Sequence, residues 1–267
     1  DGVTFTGSLD VGTRIYRDFA GCNYLRPIIL ELGGKNPAVV TRNADLERAA
    51  VGIVRSAFGL QGQKCSACSR IYIEEPVYDA LVGRIVALTE KLALGDPTER
   101  SVYLGPVINQ SSYQEYQQFT EELAKAGSIL TGGKVLTEGA YGKGFFCTPT
   151  IAADVPLHHR LWKHEMFLPI SMVTRVKDLA EALRHANDTE YGLTAGFYGS
   201  EDEAADFFDQ IQVGVSYANR PQGATTGAWP GFQPFGGWKG SGSSGKNAGG
   251  HYYLPLYMRE QIRSVVK

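Results

Sequence analysis

The sequence predicts an α/β protein: a mainly parallel sheet flanked by helices, entered through a short strand–helix–strand piece. Three observations lead there. Short apolar runs bounded by Gly, Pro or Asn alternate with amphipathic helical patterns along the chain. The first alternation reads strand at Val3–Phe5, helix at Val11–Phe19 and strand at Pro27–Leu32, a unit whose two strands run parallel. The length of 267 residues, with 43% hydrophobic and 20% charged residues, suits a large core.

Taken in order, Val3-Thr4-Phe5 reads as a buried strand and Thr6-Gly7-Ser8 as a turn. Val11, Ile15 and Phe19 then recur at i, i+4 and i+8 on one helix face. That arrangement points a helix N-terminus at a phosphate. Gly7 and Gly12 do not make a G-x-G-x-x-G, and an ordinary strand–helix turn fits the same residues. The next strand, Pro27–Leu32, ends at Gly33-Gly34. A two-strand piece cannot bury both faces unaided, so a further N-terminal segment is expected; Asp1–Phe5 reads as the middle of a fold. Asp45–Phe58 is a helix with Leu46, Ala49, Ala50, Ile53, Val54 and Ala57 inward and Asn43 or Asp45 as its cap. It delivers the chain to Leu60–Arg70, a small polar loop around Cys65.

Beyond it, Arg70–Ile73 reads as a strand and Pro76–Leu92 as a helix opened by proline. Glycines and prolines at 95–97 and 105–106 mark a long connection. Asn109–Ala126 reads as a polar surface helix. Strands are expected at Ser128–Leu130, Phe145–Ile151, Ile170–Arg175, Ala195–Tyr198 and Val213–Tyr217, with helices at Leu179–Ala186 and Glu201–Ile211. Residues 221–250 are rich in Gly, Ser and Pro. Trp229, Phe232, Phe235 and Trp238, set among the glycines, favour an ordered irregular loop over a linker. The tail, Leu254–Lys267, reads as an edge or intersubunit strand.

A net charge of −2 gives no electrostatic argument for nucleic acid or an anionic membrane. No apolar run approaches the roughly 20 residues that span a bilayer. Four cysteines are too few for a disulfide framework and point to reduced thiols in a cytoplasmic-type compartment, or a mitochondrial matrix in a eukaryote. Cys65 and Cys68 form a C-x-x-C, but no second ligand pair and no zinc-spaced histidine accompanies them, so no metal is expected. A cysteine on a turn and Glu31 at a strand end can instead form a nucleophile and a base. A buried structural cysteine and a solvated strand-end carboxylate are the ordinary alternatives.

Six motifs stand in order: Phe5-Thr6-Gly7-Ser8 with Gly12; Glu31-Leu32-Gly33-Gly34-Lys35; Gly62-Gln63-Lys64-Cys65; Glu165-Met166-Phe167-Leu168-Pro169; Asn187 with Tyr191-Gly192-Leu193; and Pro234-Phe235-Gly236-Gly237. The series resembles the aldehyde dehydrogenase superfamily over the whole chain, and 34 positions from Glu31 to Cys65 (65 minus 31) match that family's base-to-nucleophile interval. Gly62–Arg70 is most similar to the branch that oxidises glutamate γ-semialdehyde, the open form of 1-pyrroline-5-carboxylate.

The resemblance implies an NAD-dependent enzyme acting on a small aldehyde, homo-oligomeric when full length. Cys65 is the implied nucleophile and Glu31 the base. Gly7, Ser8, Gly12, Leu32, Glu165 and Phe167 are the implied cofactor contacts. Ser66, Phe235 and the backbone N–H groups of Ala248 and Gly249 are implied at the substrate, the last two as an anion-binding nest. Leu168 stands where the commoner family pattern has Gly. The implied organisation is the end of a Rossmann-like NAD-binding domain at 1–33, a catalytic domain at 34–239, and a substrate-anchor loop with an oligomerisation strand at 240–267. In the family a further N-terminal half supplies an oxyanion-hole amide and a lysine on the cofactor ribose, so an incomplete, inactive piece is expected. The competing readings are another NAD(P)-dependent semialdehyde or aldehyde dehydrogenase, a non-catalytic homologue, and a cofactor-free cysteine hydrolase. The last wants a histidine base, and none lies near either motif.

Overall fold

A computed structural model describes residues 1–221 and 233–267. Trp229 and Phe232 lie outside the described residues. In chain order the elements are β1 (Val3–Thr6), α1 (Leu9–Ala20), β2 (Ile28–Glu31), β3 (Asn36–Val40), α2 (Leu46–Phe58), β4 (Cys68–Glu74), α3 (Tyr78–Glu90), α4 (Gln110–Ala126), β5 (Ser128–Thr131), β6 (Val135–Leu136), β7 (Phe146–Cys147), β8 (Thr150–Ala153), β9 (Ile170–Val176), α5 (Leu179–Asn187), β10 (Tyr191–Gly192), β11 (Thr194–Tyr198), α6 (Glu201–Gln210), β12 (Val215–Ala218) and β13 (Trp238–Lys239).

The main sheet has seven strands in the order β12-β11-β3-β4-β9-β8-β5, all parallel to their neighbours except β5, which pairs antiparallel with β8. Successive side chains point to opposite faces, and two cores follow. Ala38, Val40, Ile71, Ile73 and Val173 pack under α2 and α3. Val39, Tyr72 and Met172 pack on the other face, toward α4, α5 and α6. Strands buried on both faces read as unbroken apolar runs, as these do. α2 starts where Asp45 accepts from the N–H groups of Glu47 and Arg48. α6 carries a full capping box between Ser200 and Glu203.

β1 and β2 form a separate parallel pair, with Thr6 opposite Glu31. β1 is not the buried strand expected: its residues alternate between half-buried and exposed, because β2 is its only partner among the described residues. The far edge of β2 is closed by the late loop. Ser243 accepts from Leu30 N (2.9 Å) and donates to Ile28 O (3.0 Å), and Leu32 N donates to Ser241 O (2.9 Å).

Other expectations need correction. Phe145–Ile151 is two strands: β7 pairs with β6 outside the main sheet, and the chain turns at Thr148-Pro149 before β8. Leu254–Tyr257 is a turn of 3-10 helix, and no strand follows it among the described residues. β3, an interior strand of the sheet, has no strand signal in the sequence because Gly33-Gly34 and Pro37 interrupt the pattern. No helix is long and apolar enough to cross a membrane among the described residues.

Arg70 joins the layers. Its guanidinium is buried and donates from Nε to Lys35 O (2.8 Å), from Nη1 to His185 O (3.2 Å) and from Nη2 to Ala186 O (2.9 Å). These carbonyls belong to the entry of β3 and the C-terminal turn of α5, where a cation also meets the negative end of the helix dipole. Removing it strands several buried acceptors. Arg70→Met is therefore expected to destabilise the chain by about 3 kcal/mol in urea unfolding followed by circular dichroism. A loss below about 0.5 kcal/mol would refute this role.

Candidate active site

The site lies between two sheet edges: the C-terminal ends of β1 and β2, and the N-terminal ends of β3 and β4. The chain crosses the gap at Leu32–Lys35. Here two glycines are needed. A Cβ on Gly33 would sit 2.2 Å from Glu165 Oε2, and one on Gly34 would sit 2.4 Å from Cys65 O. The crossing is thus pressed against the candidate nucleophile turn on one side and the candidate ribose carboxylate on the other. Gly34 N donates to Glu165 Oε1 at 2.8 Å.

On the far side, α2 ends at Phe58, and Leu60 and Gln61 adopt φ of 54° and 57°. Non-glycine residues in this region store backbone strain of about 1–3 kcal/mol each. Gly62, also left-handed, passes close to Leu168 O. The strained turn sets Cys65 at the head of a short bend closed by Ala67 N donating to Lys64 O (3.1 Å). Phe167 has φ 54° and is 44% exposed, beside a buried Leu168 whose carbonyl accepts from Ile170 N at 2.7 Å. A leucine at 168 therefore fits the turn, because the left-handed position falls on Phe167.

A cavity of about 910 Å³ opens between these elements. Its lining includes Gly7, Ser8, Leu32, Cys65, Ser66, Glu165, Phe167 and Phe235, eight of the residues singled out from sequence. Ser8 caps α1 by accepting from Val11 N (3.4 Å), so that helix N-terminus faces the cavity. Gly12 is placed elsewhere. It is buried against Leu32, where a Cβ would meet Leu32 Cδ2 at 2.5 Å, so it serves close helix–strand packing. Ala248 also departs from the expected role. Its N–H donates to Phe235 O at 2.7 Å and is thereby committed to the loop, so it does not join Gly249, at φ 72°, in an open nest.

The lining also holds Glu115 and Phe119 from α4, His164 beside Glu165 and Leu60 before the turn, which no motif marks, and Met166, Gln63 and Lys64, which stand in motifs with no expected role of their own. α4 is the polar surface helix expected, but one stripe of it faces inward. Tyr116, Phe119, Thr120 and Leu123 are buried, an i, i+3, i+4, i+7 stripe visible in the sequence but outweighed by the surrounding Gln and Glu.

Burial dominates the electrostatics. It raises Glu31 to about 7, and Glu31 Oε2 is a buried oxygen without a hydrogen-bond partner. It also pushes the Cys65 thiol up, helped by the carboxylates of Glu165 and Glu31, while the main-chain N–H groups of Ser66 and Cys65 pull it down. Glu165 is raised by burial against its bond to Gly34 N and the charge of Lys35. A neutral thiol beside a carboxyl poised near neutrality is a nucleophile that needs a base and a base able to serve. Cys68 is buried, its thiol turned toward Arg70 O (3.6 Å) and raised by burial to about 12. Among the described residues no group of three or more His, Cys, Asp or Glu side chains is placed to hold a metal.

The Glu31 shift has a stability consequence. Between about pH 4.5 and 7 the folded chain keeps a proton that the unfolded chain has lost, so this residue makes stability fall as pH rises through that window. Glu31→Gln removes the effect. Its melting temperature is expected to match wild type near pH 4.5 and to exceed it increasingly up to pH 7. A difference constant with pH would contradict the burial of Glu31.

Residues 1–262 match the Aldehyde dehydrogenase family. The chain is 46% identical over 267 residues to the 1-pyrroline-5-carboxylate dehydrogenase of Geobacillus sp. (strain WCH70) and 44% identical to that of Geobacillus kaustophilus (strain HTA426). Each match covers 98% of this chain and 50% of the relative. The chain thus spans about half the length of the curated relatives it matches. Among solved structures, the 1-pyrroline-5-carboxylate dehydrogenase from Thermus with bound NAD superposes with a TM-score of 0.88 at 39% identity, over 96% of this chain and 49% of that one. Betaine aldehyde dehydrogenase from Staphylococcus aureus in complex with NAD+ gives 0.89 at 28% identity, over 96% and 50%. By sequence and by fold, the chain belongs to the aldehyde dehydrogenase family.

Proposed function

We propose that the protein oxidises L-glutamate γ-semialdehyde, the open form of 1-pyrroline-5-carboxylate, to L-glutamate with NAD, as a step of proline breakdown, with Cys65 as nucleophile and Glu31 as base. The observation that carries the reading is the Cys65–Glu31 arrangement: a half-buried thiol at the mouth of a strained turn, under the influence of a buried carboxyl titrating near 7. Support for the substrate comes from the relatives named 1-pyrroline-5-carboxylate dehydrogenase, which match along almost the whole chain.

The residues present fit the cofactor. The capped N-terminus of α1 suits a pyrophosphate. At Gly7 a Cβ would strike the Phe5 ring at 2.4 Å, so the backbone there stays bare for close approach. Glu165 offers two carboxylate oxygens to a ribose diol. When bound, NAD supplies the acceptor for the hydride that leaves the aldehyde carbon.

The chain's own residues account for the rest. Glu31 takes the thiol proton, and Cys65 Sγ bonds to the aldehyde carbon to give a thiohemiacetal. Loss of hydride leaves a thioester on Cys65. Glu31 then takes a proton from water, whose oxygen bonds to the thioester carbon; the C–S bond breaks and the carboxylic acid departs. A base titrating near 7 can release and recapture protons in each half of this cycle. Ser66, 3% exposed yet at the cavity wall, offers its hydroxyl to the substrate's α-carboxylate, and Phe235 walls the pocket. In this reading residues 1–33 end the cofactor-binding unit, 34–239 form the catalytic unit, and 240–267 hold the substrate loop and a tail that pairs in a homo-oligomer. The reduced thiols suit a cytoplasmic compartment.

Kinetics of the full gene product test the reading. The kcat/KM for 1-pyrroline-5-carboxylate is expected to exceed that for succinic semialdehyde or propanal by at least about tenfold, the scale of one specific polar contact. Cys65→Ala is expected to lower turnover by about 10⁴-fold or more. Preference for succinic semialdehyde or propanal would overturn the substrate, and an active Cys65→Ala would overturn the nucleophile.

A further inference from the structure

β3 enters the main sheet through Asn36-Pro37, between β4 and β11. Proline has no N–H to give to a ladder and is tolerated within a sheet chiefly at bulges. A bulge is present. Asn36 pairs with Cys68 and Pro37 with Arg70, so Ser69 faces no partner residue. The Asn36 side chain spans this break. It is 1% exposed, and its Nδ2 donates to Cys65 O at 2.7 Å and to Ala67 O at 2.9 Å, while its Oδ1 accepts from Thr194 N at 3.0 Å. Both amide donors are therefore spent on the nucleophile turn, and the acceptor ties that turn to β11. A Cβ on Gly34 would lie 2.8 Å from Asn36 Oδ1, so the glycine crossing also leaves room for this amide.

In a trans peptide the C=O and the N–H point in opposite directions. Cys65 O and Ser66 N–H share one peptide plane. Drawing Cys65 O toward Asn36 therefore turns Ser66 N–H the other way, and that N–H, with the one of Cys65 itself, lies against the Cys65 sulfur. The hold on Ala67 O fixes the peptide that joins Ala67 to Cys68, one residue further along the turn. We propose that Asn36 is a positioning residue for Cys65: its amide clamps the carbonyls of Cys65 and Ala67 and thereby aims the Ser66 N–H at the sulfur. Asn36 touches neither substrate nor cofactor in this role. It acts through the backbone, which stabilises the thiolate that bonds to the aldehyde carbon. The inference rests on the reading of Cys65 as nucleophile. The charged groups facing the sulfur are Glu31 and Glu165, which oppose the thiolate, and Lys64, which couples to it. None of them is changed by substituting Asn36.

The test is the pH dependence of Cys65 alkylation by iodoacetamide. The thiolate displaces iodide from the CH₂ carbon, and the site is read by tandem mass spectrometry. Asn36→Ala is expected to raise the midpoint of the alkylation profile by about one pH unit and to slow alkylation at pH 7 about tenfold. Asn36→Ser, which keeps one shorter donor, is expected to recover part of both changes. Melting curves identify any variant that fails to fold; if Asn36→Ala does, Asn36→Ser alone decides by its midpoint. An unchanged midpoint in the folded variants overturns the proposal, even where the melting temperature falls, since a purely structural role moves only the latter. The readout needs neither aldehyde nor NAD. Normal dependence on Asn36 with no oxidation of 1-pyrroline-5-carboxylate by the full gene product would count against the proposed function and leave the positioning role standing.

Discussion

The crossing at Gly33-Gly34 is the constraint on which the site depends. Here the chain leaves the two-stranded sheet and enters the seven-stranded one, and side chains from both sides press against bare backbone. Glu165 takes one side through Gly34 N, and the Cys65 turn takes the other through its carbonyl. A single methyl at either glycine would displace one of these groups. Everything the cavity offers chemically is therefore registered against one four-residue segment. The next residues continue the pattern. Lys35 gives its carbonyl to Arg70, and Asn36 gives its amide to the nucleophile turn. Open parallel sheets usually bind ligands at their C-terminal strand ends. The main sheet here presents its N-terminal ends, and the C-terminal ends come from β1 and β2.

Burial is the common cause of the site's electrostatics. It raises Glu31, Cys65 and Glu165 and lowers Lys35, which is fully buried with no hydrogen-bond partner for Nζ and is brought to about 7 by desolvation and the nearby Arg70. Desolvation favours the neutral form of each group. Cys65 and Glu165 line the cavity and Glu31 and Lys35 adjoin them in the chain, and clusters of shifted groups of this kind mark functional sites. The strain at Leu60, Gln61 and Phe167 lies in the same walls. Left-handed non-glycine residues persist only where surrounding packing over-determines them.

The α/β alternation, most helices and eight cavity-lining residues were legible from sequence. Each rests on a local pattern: a helical stripe, a cap, or a motif at fixed spacing. The misses are non-local. β3 is hidden because Pro37 contradicts a central strand, and only the bulge at Ser69 and the amide of Asn36 reconcile it with the sheet. Glu115 and Phe119 belong to a helix whose polar composition outweighs its buried stripe. Gly12 is placed at the cofactor only by the family resemblance, and in the fold it meets Leu32 across the layer. The Ala248 N–H was assigned to a ligand, whereas the fold had a nearer acceptor in Phe235 O. Arg70 ends a motif and Asn36 follows one, but neither carries an expected role; their importance comes from carbonyls distant in sequence.

The central claim is that Cys65 forms the bond to the substrate. Acid quenching of the full gene product during turnover of 1-pyrroline-5-carboxylate with NAD, followed by peptide mass spectrometry, tests it most directly. A glutamyl thioester on Cys65, accumulating further in Glu31→Gln because the base for its hydrolysis is gone, is the result this account requires. Turnover with no acyl adduct on Cys65 in either protein, or with the adduct on Cys22, Cys68 or Cys147, would contradict it.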